Sequence, residues 1–344
     1  MGDGKAAIRS TRPAMASAAP RVTVRRSTRY TSRSNVRKTF NIERPPIILE
    51  VSSTVIRVGY AEQCKPQHIL QVEAIVNANK TESQWYASLS PLVQRVYDRL
   101  MCDPTTRRVV ILHKHFAPKA WLVALKQILW NKGVPAVACF SSLEVVPIAQ
   151  GWKRGLIVQI SREEAVCVCH SDGHVLPFTY QSVPCGYKQL LPDESRISVE
   201  WTKEMDQRLL DENDPNSLVL ALLKCLEECP RDIRPYVVSN IVFCGDGMAL
   251  LPDLSRRVGR RLQKVLEGNQ EPLKLGETDD TSVMTVVPAN VTALKPLAVR
   301  LAITSCAPHR PDWISWIGSS LWAAIWNKYD AEATRVKWTP APTE

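Results

Sequence analysis

The chain has 344 residues, enough to bury a full hydrophobic core and to form one large or two medium-sized domains. Hydrophobic residues make up 45% of it and the mean hydropathy is −0.15, which is ordinary for a soluble globular protein. No apolar run reaches the ~20 residues that a transmembrane helix needs. The ten cysteines lack the paired spacings of a metal site, which favours reduced thiols in an intracellular protein and predicts no bound metal.

The net charge of +10 belongs to the N-terminal end of the chain. Of the 44 Lys and Arg and 34 Asp and Glu in the whole sequence, residues 1–44 hold eleven and two, which leaves 33 basic and 32 acidic residues in the remainder. This segment has scarcely any apolar periodicity, and Pro13 and Pro20 interrupt it. We therefore predict a disordered basic tail over 1–44, with a transit peptide or a nucleic-acid-binding arm as the alternatives.

The body of the chain begins with strands and then alternates strands with helices. The hydrophobic pattern predicts strands at 46–51, Val55–Tyr60, 108–112 and 134–140, and helices at Glu82–Leu100, 118–130 and 141–150. Strand–helix alternation of this kind is typical of an α/β protein.

The stretch 155–184 is the centre of the chain, with strands predicted at 156–160, 165–169 and 175–178. A strand–turn–strand unit can present turn amides to a phosphate when small residues at its tip let the backbone approach. Here the first turn, 161–164, carries an arginine and two glutamates, whose carboxylates would repel a polyphosphate. The strand–turn–strand arrangement therefore predicts a phosphate-binding hairpin, but the charged residues at its tip do not favour phosphate binding.

The second half continues the same alternation. Helices are predicted at 194–210 and 217–229, a strand at 239–244, a basic helix at 252–266, a loop at 267–292, a strand at 300–304, a Trp-rich helix at 313–329 and a polar tail at 337–344. The basic helix face favours solvent, with an acidic protein partner as the alternative.

Three segments in this half carry a resemblance to a known family. The run 315–321, SWIGSSL, resembles the S-x-W-I-G-G-S-[IL] segment of actins, and 229–234, CPRDIR, with 240–242, NIV, resembles the run before their adenosine loop. Gly245-Asp246-Gly247 stands where that loop belongs. From about Pro46 to Tyr329 the chain is similar to the actin and actin-related protein family.

The resemblance implies an actin-like two-lobed α/β fold, shared by actin, heat-shock 70 chaperones and hexokinase, with reduced outer subdomains. It implies a first lobe over 45–151, a second over 152–312 that includes the loop 267–292, and a C-terminal helix and tail over 313–344 that return to the first lobe. The outer subdomains are expected to be reduced because the segments after Pro66 and after the second hairpin are much shorter than in actin.

The resemblance also identifies the positions of the family's three nucleotide loops. They are Glu50, Ser52, Ser53, Thr54 and Arg57 in the first loop, Gln159, Ser161, Arg162 and Glu163 in the second, and Gly245, Asp246 and Gly247 in the third. Glu50 replaces the aspartate that orients magnesium-bound water, and Ser142 and Val166 replace the glutamine and histidine that serve the attacking water. We therefore expect no catalytic residue, no ATP hydrolysis and no cofactor. The alternatives are ATP or ADP bound without turnover, and a weak ATPase if the loops are misaligned.

In actin a hydrophobic groove receives an outer loop of the next subunit. The matching positions here are Ile148, Gly151, Leu321, Trp322 and Ile325, and Trp322 is the predicted anchor of this partner groove. Because the chain keeps the groove and lacks the outer loop, it is expected to accept a filament end without extending it.

Within the family, the resemblance is to the divergent subunit at the pointed end of dynactin. It implies a non-catalytic cap in the cytoplasm and cytoskeleton, with filament subunits and other pointed-end dynactin subunits as partners, in dynein-based microtubule transport. The alternative is a nuclear actin-related subunit of a chromatin-remodelling complex, whose basic tail would contact nucleic acid through phosphates.

Overall fold

The computed structural model describes residues 44–72, 80–191, 201–211, 214–268, 291–328 and 338–342. All of them fall in one of the two units into which the chain divides, Phe40–Glu344. The predicted basic tail over 1–44, except Arg44, and most of the predicted loop 267–292 lie outside the described residues. No helix in the described ranges is both long enough and apolar enough to cross a membrane.

The first sheet has six strands in the order β12-β5-β4-β1-β2-β3. They are β1 (Ile47–Val51), β2 (Val55–Tyr60), β3 (His68–Gln71), β4 (Val109–His113), β5 (Ala136–Ser141) and β12 (Thr339–Pro340). β1 is antiparallel to β2, which is antiparallel to β3, whereas β1, β4 and β5 are parallel. Both faces of β1 are buried, as its continuous apolar sequence predicts.

The second sheet has the order β11-β10-β6-β7-β8, and β9 also pairs with β7. The strands are β6 (Arg154–Ile160), β7 (Ala165–Ser171), β8 (His174–Val175), β9 (Gln181–Val183), β10 (Ile241–Cys244) and β11 (Ile303–Thr304). β8 and β9 pair with successive parts of β7 and together take the place of one third strand. The second sheet therefore repeats the first, with an antiparallel second and third strand on one side of the first strand and a parallel fourth and fifth on the other.

Helices connect and cover the sheets. They are α1 (Glu82–Leu100), α2 (Lys119–Asn131), α3 (Ser142–Gln150), α4 (Tyr187–Leu190), α5 (Lys203–Leu210), α6 (Leu218–Glu228), α7 (Arg234–Val238), α8 (Gly247–Leu250), α9 (Leu254–Glu267), α10 (Val291–Leu294) and α11 (Ile314–Lys328). α1 and α3 both begin with a capping box, at Thr81 and Ser141, and α3 ends at Gly151 with a φ of 69°. These start and stop signals explain why both helices match their predicted bounds.

Each sheet is packed on both faces. α1 and α2 cover one face of the first sheet, through Trp85 and Leu125, and α6 and α9 cover one face of the second, through Leu222 and Val258. α3 and α11 supply both remaining faces: Val145 and Trp316 pack on the first sheet, and Leu143, Val146 and Ile314 pack on the second. These two helices form a layer that the sheets share.

α3 and α11 touch at Gly318. A Cβ atom at this position would lie 2.0 Å from the carbonyl oxygen of Val145, closer than any side chain can stand. The glycine therefore sets how closely the two helices of the shared layer approach.

The predicted alternation of strands and helices is confirmed, and three short strands were missed. β3, β9 and β12 have only two to four residues, too few to show a period. The end of the chain was predicted to be a polar tail, but Thr339–Pro340 pairs with β5 and Trp338 is buried beside it. The strand predicted at 175–178 stops at Val175, because Pro177 starts a 3₁₀ turn.

Candidate functional site

A cavity of about 330 Å³ lies between the two sheets, and we call it the cleft cavity. It is bordered by the residues that follow β1, β4, β6 and β10, and by the first turns of α3 and α11. Open α/β sheets bind ligands beyond the carboxyl ends of their parallel strands, so the cleft cavity is the candidate site. Of the positions assigned to the three loops, its lining includes Glu50, Ser52, Ser53, Arg57, Gln159, Ser161, Glu163, Gly245 and Asp246, together with Ser142. Thr54, Arg162 and Gly247 are not among the lining residues.

Arg57 connects the two sheets at the floor of this cavity. Its Nη1 lies 3.3 Å from Oε2 of Glu50, and its Nη2 is hydrogen-bonded to Oδ1 of Asp246. Arg57 and Glu50 belong to β2 and β1, whereas Asp246 follows β10 of the second sheet. The Arg57 side chain is 6% exposed, so this cluster of three charges, the Arg57 cluster, is largely removed from water.

Burial and charge act in opposite directions on the Arg57 cluster. Burial alone would lower the pKa of Arg57, but the carboxylates of Glu50 and Asp246 outweigh it and hold the pKa above its ordinary value. Burial raises the pKa of Glu50, although the charge of Arg57 and a hydrogen bond from Ser315 Oγ, at 2.7 Å, oppose the rise. Arg57 is therefore permanently charged and is held by two carboxylates of the protein itself.

The first predicted loop uses its hydrogen-bond donors internally. The backbone N–H and the hydroxyl of Ser52 both donate to the carbonyl oxygen of Val55, at 2.9 and 3.0 Å. The carbonyl oxygen of Thr54 accepts from the backbone N–H of Val72 at 2.8 Å, and Ser53 lines the cavity. The donors of Ser52 are thus used inside the turn, where a phosphate-binding loop would direct them at its ligand.

The second predicted loop is covered by the start of α4. The backbone N–H of Ser161 donates to Glu164, and the carbonyl oxygen of Arg162 accepts from Lys188 at 3.0 Å. A Cβ atom on Gly186 would lie 2.2 Å from the Arg162 carbonyl oxygen, which shows how closely the chain passes over this turn. The guanidinium of Arg162 pairs with Glu163 at 3.3 Å.

Gln159 and Val166 face each other in the register of β6 and β7. The Gln159 amide is hydrogen-bonded to the Ser142 hydroxyl, with Nε2 donating to Oγ at 3.0 Å between β6 and the start of α3. Val166 is buried in the apolar layer between α3 and the second sheet. These three positions therefore offer no group that could take a proton from water.

The glycines of the third predicted loop are explained by its close contacts with Ile160 of β6. Gly245 has a φ of 96°, and a Cβ atom there would lie 2.5 Å from the carbonyl oxygen of Ile160. A Cβ atom on Gly247 would lie 2.5 Å from Cγ2 of the same isoleucine. The two glycines let the turn after β10 pass close to β6, which brings the Asp246 carboxylate to Arg57.

A second set of contacts joins the sheets at the mouth of the cleft cavity, and sequence reasoning did not anticipate it. Lys114 Nζ lies 2.5 Å from Oε1 of Glu164, and the ring centroids of Phe116 and Tyr180 are 4.8 Å apart. Burial would raise the pKa of Glu164, but hydrogen bonds from Lys114 and Ser182 lower it below its ordinary value. The only signal in the sequence was the run Lys114–Pro118 directly after a buried strand, which was interpreted as a loop.

The charges that line the cleft cavity are paired within the protein. Arg57 pairs with Glu50 and Asp246, Glu163 with Arg162, Asp312 with Arg310 and Lys114 with Glu164. A phosphate group would have to draw a cation away from one of these carboxylates. Among the described residues, no three His, Cys, Asp or Glu side chains converge as a metal site would require.

The predicted partner groove is corrected at its central residue. Leu321 and Ile325 are 43% and 48% exposed, Ile148 is partly buried, and Gly151 is exposed at the end of α3. Trp322, however, is 5% exposed.

Aromatic rings cover Trp322 from two sides. Its ring packs against Phe140 and Trp338, at 4.5 and 5.8 Å between centroids. Trp322 is a core residue because the C-terminal segment that carries Trp338 folds over it. The exposed aromatic residue of α11 is Trp326, four residues further along.

No protein-family model matches this chain, and no curated protein sequence matches it. Its function is therefore inferred from the fold and from the cleft.

Proposed function

We propose that this chain is a non-catalytic structural subunit with an actin-like two-lobed fold and reduced outer subdomains. The observation that carries the proposal is the Arg57 cluster. In a nucleotide-dependent protein of this architecture, a cation in this cleft would be expected to face phosphate. Here Arg57 is held by Glu50 and Asp246, and it joins the two sheets through protein groups alone.

Two features of the backbone support the actin-like part of the proposal. Apart from β12, both sheets have the same strand order and directions, as expected of a fold built from two related lobes, and the carboxyl ends of their central strands border one cleft. The link from β3, which ends at Gln71, to α1, which begins at Glu82, is too short for an outer subdomain.

We further propose that the chain caps the pointed end of an actin-related filament, as a subunit of dynactin in dynein-based transport. The support is the exposed apolar surface of α11, formed by Leu321, Ile325 and Trp326, beside Ile148 of α3. Leu321 and Ile148 each lie one helical turn from the contact between Gly318 and Val145, so they border the same junction. Exposed apolar clusters of this kind mark protein interfaces.

A nuclear actin-related subunit of a chromatin-remodelling complex is the second candidate. The observation that favours it is the +9 charge of residues 1–44, which suits the phosphates of nucleic acid. Retention of the full chain on DNA, lost with increasing salt and lost on deletion of residues 1–40, would favour the nuclear role over the cap.

The test of the cap is capture of dynactin pointed-end subunits by the tagged full chain, with mass spectrometry as the readout. Ile325→Glu should reduce capture by at least tenfold, because a charge in a buried apolar contact is costly. Val299→Glu is the matched control, since Val299 is also exposed and apolar but lies in the 3₁₀ turn Lys295–Arg300, which packs on α7, α9 and α10. Equal capture by both variants, or self-assembly of the wild-type chain into filaments, would refute the cap.

A further inference from the structure

We infer that the cleft cavity is a binding site for a small uncharged aromatic molecule. The inference does not depend on the cap. It rests on the size of the cavity, the chemistry of its two ends and the side chain at its mouth.

The volume and the walls set the size and the polarity of the ligand. At about 330 Å³ the cavity is near the lower end of the range of roughly 300–1,000 Å³ that is usual for ligand pockets. Much of its wall is apolar, and the side chains concerned are Val51, Trp85, Leu112, Phe116, Pro118 and Trp121. Three of the six are aromatic, and aromatic rings pair favourably with other rings in offset or edge-to-face arrangements.

The polar end of the cavity argues against a charged ligand. Its groups bond to one another: Ser142 to Gln159, Ser315 to Glu50, and Arg57 to both Glu50 and Asp246. An anion would have to draw Arg57 away from Glu50 and Asp246, which would leave two carboxylates without their partner. A cation would have to draw carboxylates away from Arg57, which would leave a buried guanidinium without its partners. A neutral ligand would leave the ion pairs of Arg57 intact.

Phe116 gives the mouth of the cavity an unusual feature. It is 68% exposed and has a φ of 60°, a left-handed conformation that costs a non-glycine residue about 1–2 kcal/mol. The same residue lines the cavity, and its ring contacts that of Tyr180, which directly precedes β9, so the Phe116 ring lies at the entrance. Strained residues of this kind cluster at ligand clamps. Phe116 is therefore placed to stack on a ring that enters the cleft.

The test measures the thermal unfolding of the full chain with indole, benzamide or magnesium–ATP as the probe. We expect indole and benzamide to raise the Tm saturably, by roughly 2–4 °C at ten times their Kd, and magnesium–ATP to leave it unchanged. Ala117→Phe, which fills the cavity from its lining, should abolish the rise. Phe116→Ala should weaken the apparent affinity roughly two- to tenfold, the loss expected for one aromatic pair.

Two further variants keep the result interpretable. Val123→Phe adds the same ring to α2 outside the cavity, and Leu321→Gln removes an exposed apolar side chain from the partner groove. Both should keep the full rise in Tm. The inference is overturned if neither uncharged probe raises the Tm, or if Phe116→Ala and Ala117→Phe respond as the wild type does. Stabilisation by ATP without hydrolysis would also overturn it and leave the structural role standing, whereas hydrolysis of ATP would overturn both.

Discussion

Replacement of Arg57 by glutamine should be among the most destabilising changes that this protein can suffer. The substitution removes the cation from between Glu50 and Asp246 while leaving both carboxylates in place. Loss of one partner of a buried ion pair typically costs ~3–5 kcal/mol, because the remaining charge stays buried without compensation. The Asp246 side chain is 19% exposed and can recover some solvation, so we expect a loss of about 3–4 kcal/mol in the free energy of unfolding.

The structure also predicts that a second substitution restores part of the lost stability and that the loss depends on pH. Adding Glu50→Gln to Arg57→Gln removes the more deeply buried carboxylate, so the double variant should regain at least half of the loss. In Arg57→Gln alone, the pKa of Glu50 rises further, because its attractive partner is gone and burial remains. The folded state then binds a proton more tightly than the unfolded state, so the deficit relative to the wild type should shrink as the pH falls toward 4.5.

Urea denaturation followed by tryptophan fluorescence and by circular dichroism would measure these differences. The midpoint should fall in Arg57→Gln and recover in the double variant, with little change in the m-value. Two results would contradict the reasoning: a loss below about 1 kcal/mol for Arg57→Gln, or a double variant less stable than the single one. Either would mean that the Arg57 cluster does not hold the sheets together.

Three other predictions follow from the same structure. The purified protein should show no magnesium-dependent ATP turnover, because the water-positioning groups, typically worth ~10²–10⁴-fold each, are absent; turnover that disappears with Glu50→Ala would contradict this. Burial lowers the pKa of His170, so the unfolded state binds more protons below pH 6.5. The free energy of unfolding should therefore fall as the pH drops from 7 to 5, and His170→Phe should make this fall smaller. An unchanged pH dependence in His170→Phe would show that His170 is not its source. Gly318→Ala should lower the free energy of unfolding by more than about 2 kcal/mol, because the added Cβ atom clashes with Val145. Gly151→Ala has open space around it and should cost only about 1 kcal/mol. Equal losses in chemical denaturation would show that α3 and α11 can move apart to accept the alanine.

The long elements of this fold were predictable because their signals are local. α1 matches the predicted Glu82–Leu100 at both ends, since a Thr81 cap, an apolar stripe and 19 residues of length all favour the same helix. The pairing of Thr339–Pro340 with β5 depends instead on residues about 200 positions away, and nothing near the C-terminus indicates it.

The position of the candidate site was predictable from the sequence, but the pairing of its charged side chains was not. The loop comparison assigns Glu50 and Arg57 to one predicted nucleotide loop and Asp246 to another, and it does not predict that the three side chains pair with one another. Together they form an ion cluster, which the opposite signs of the charges at aligned positions could have indicated. The prediction of Trp322 as an exposed anchor is wrong because no local signal indicates that Trp338 returns to cover it.

The shared layer of α3 and α11 has a consequence for synthesis on the ribosome. The first sheet is nearly complete once residue 141 has emerged, yet one of its faces is covered by α11, which begins at Ile314, and its edge by Thr339–Pro340. α3 covers only part of that apolar face, so the remainder stays uncovered until α11 is made, and exposed sheet surfaces of this kind are prone to aggregate. The N-terminal half is therefore expected to be most prone to aggregation during synthesis, before α11 and Thr339–Pro340 have emerged.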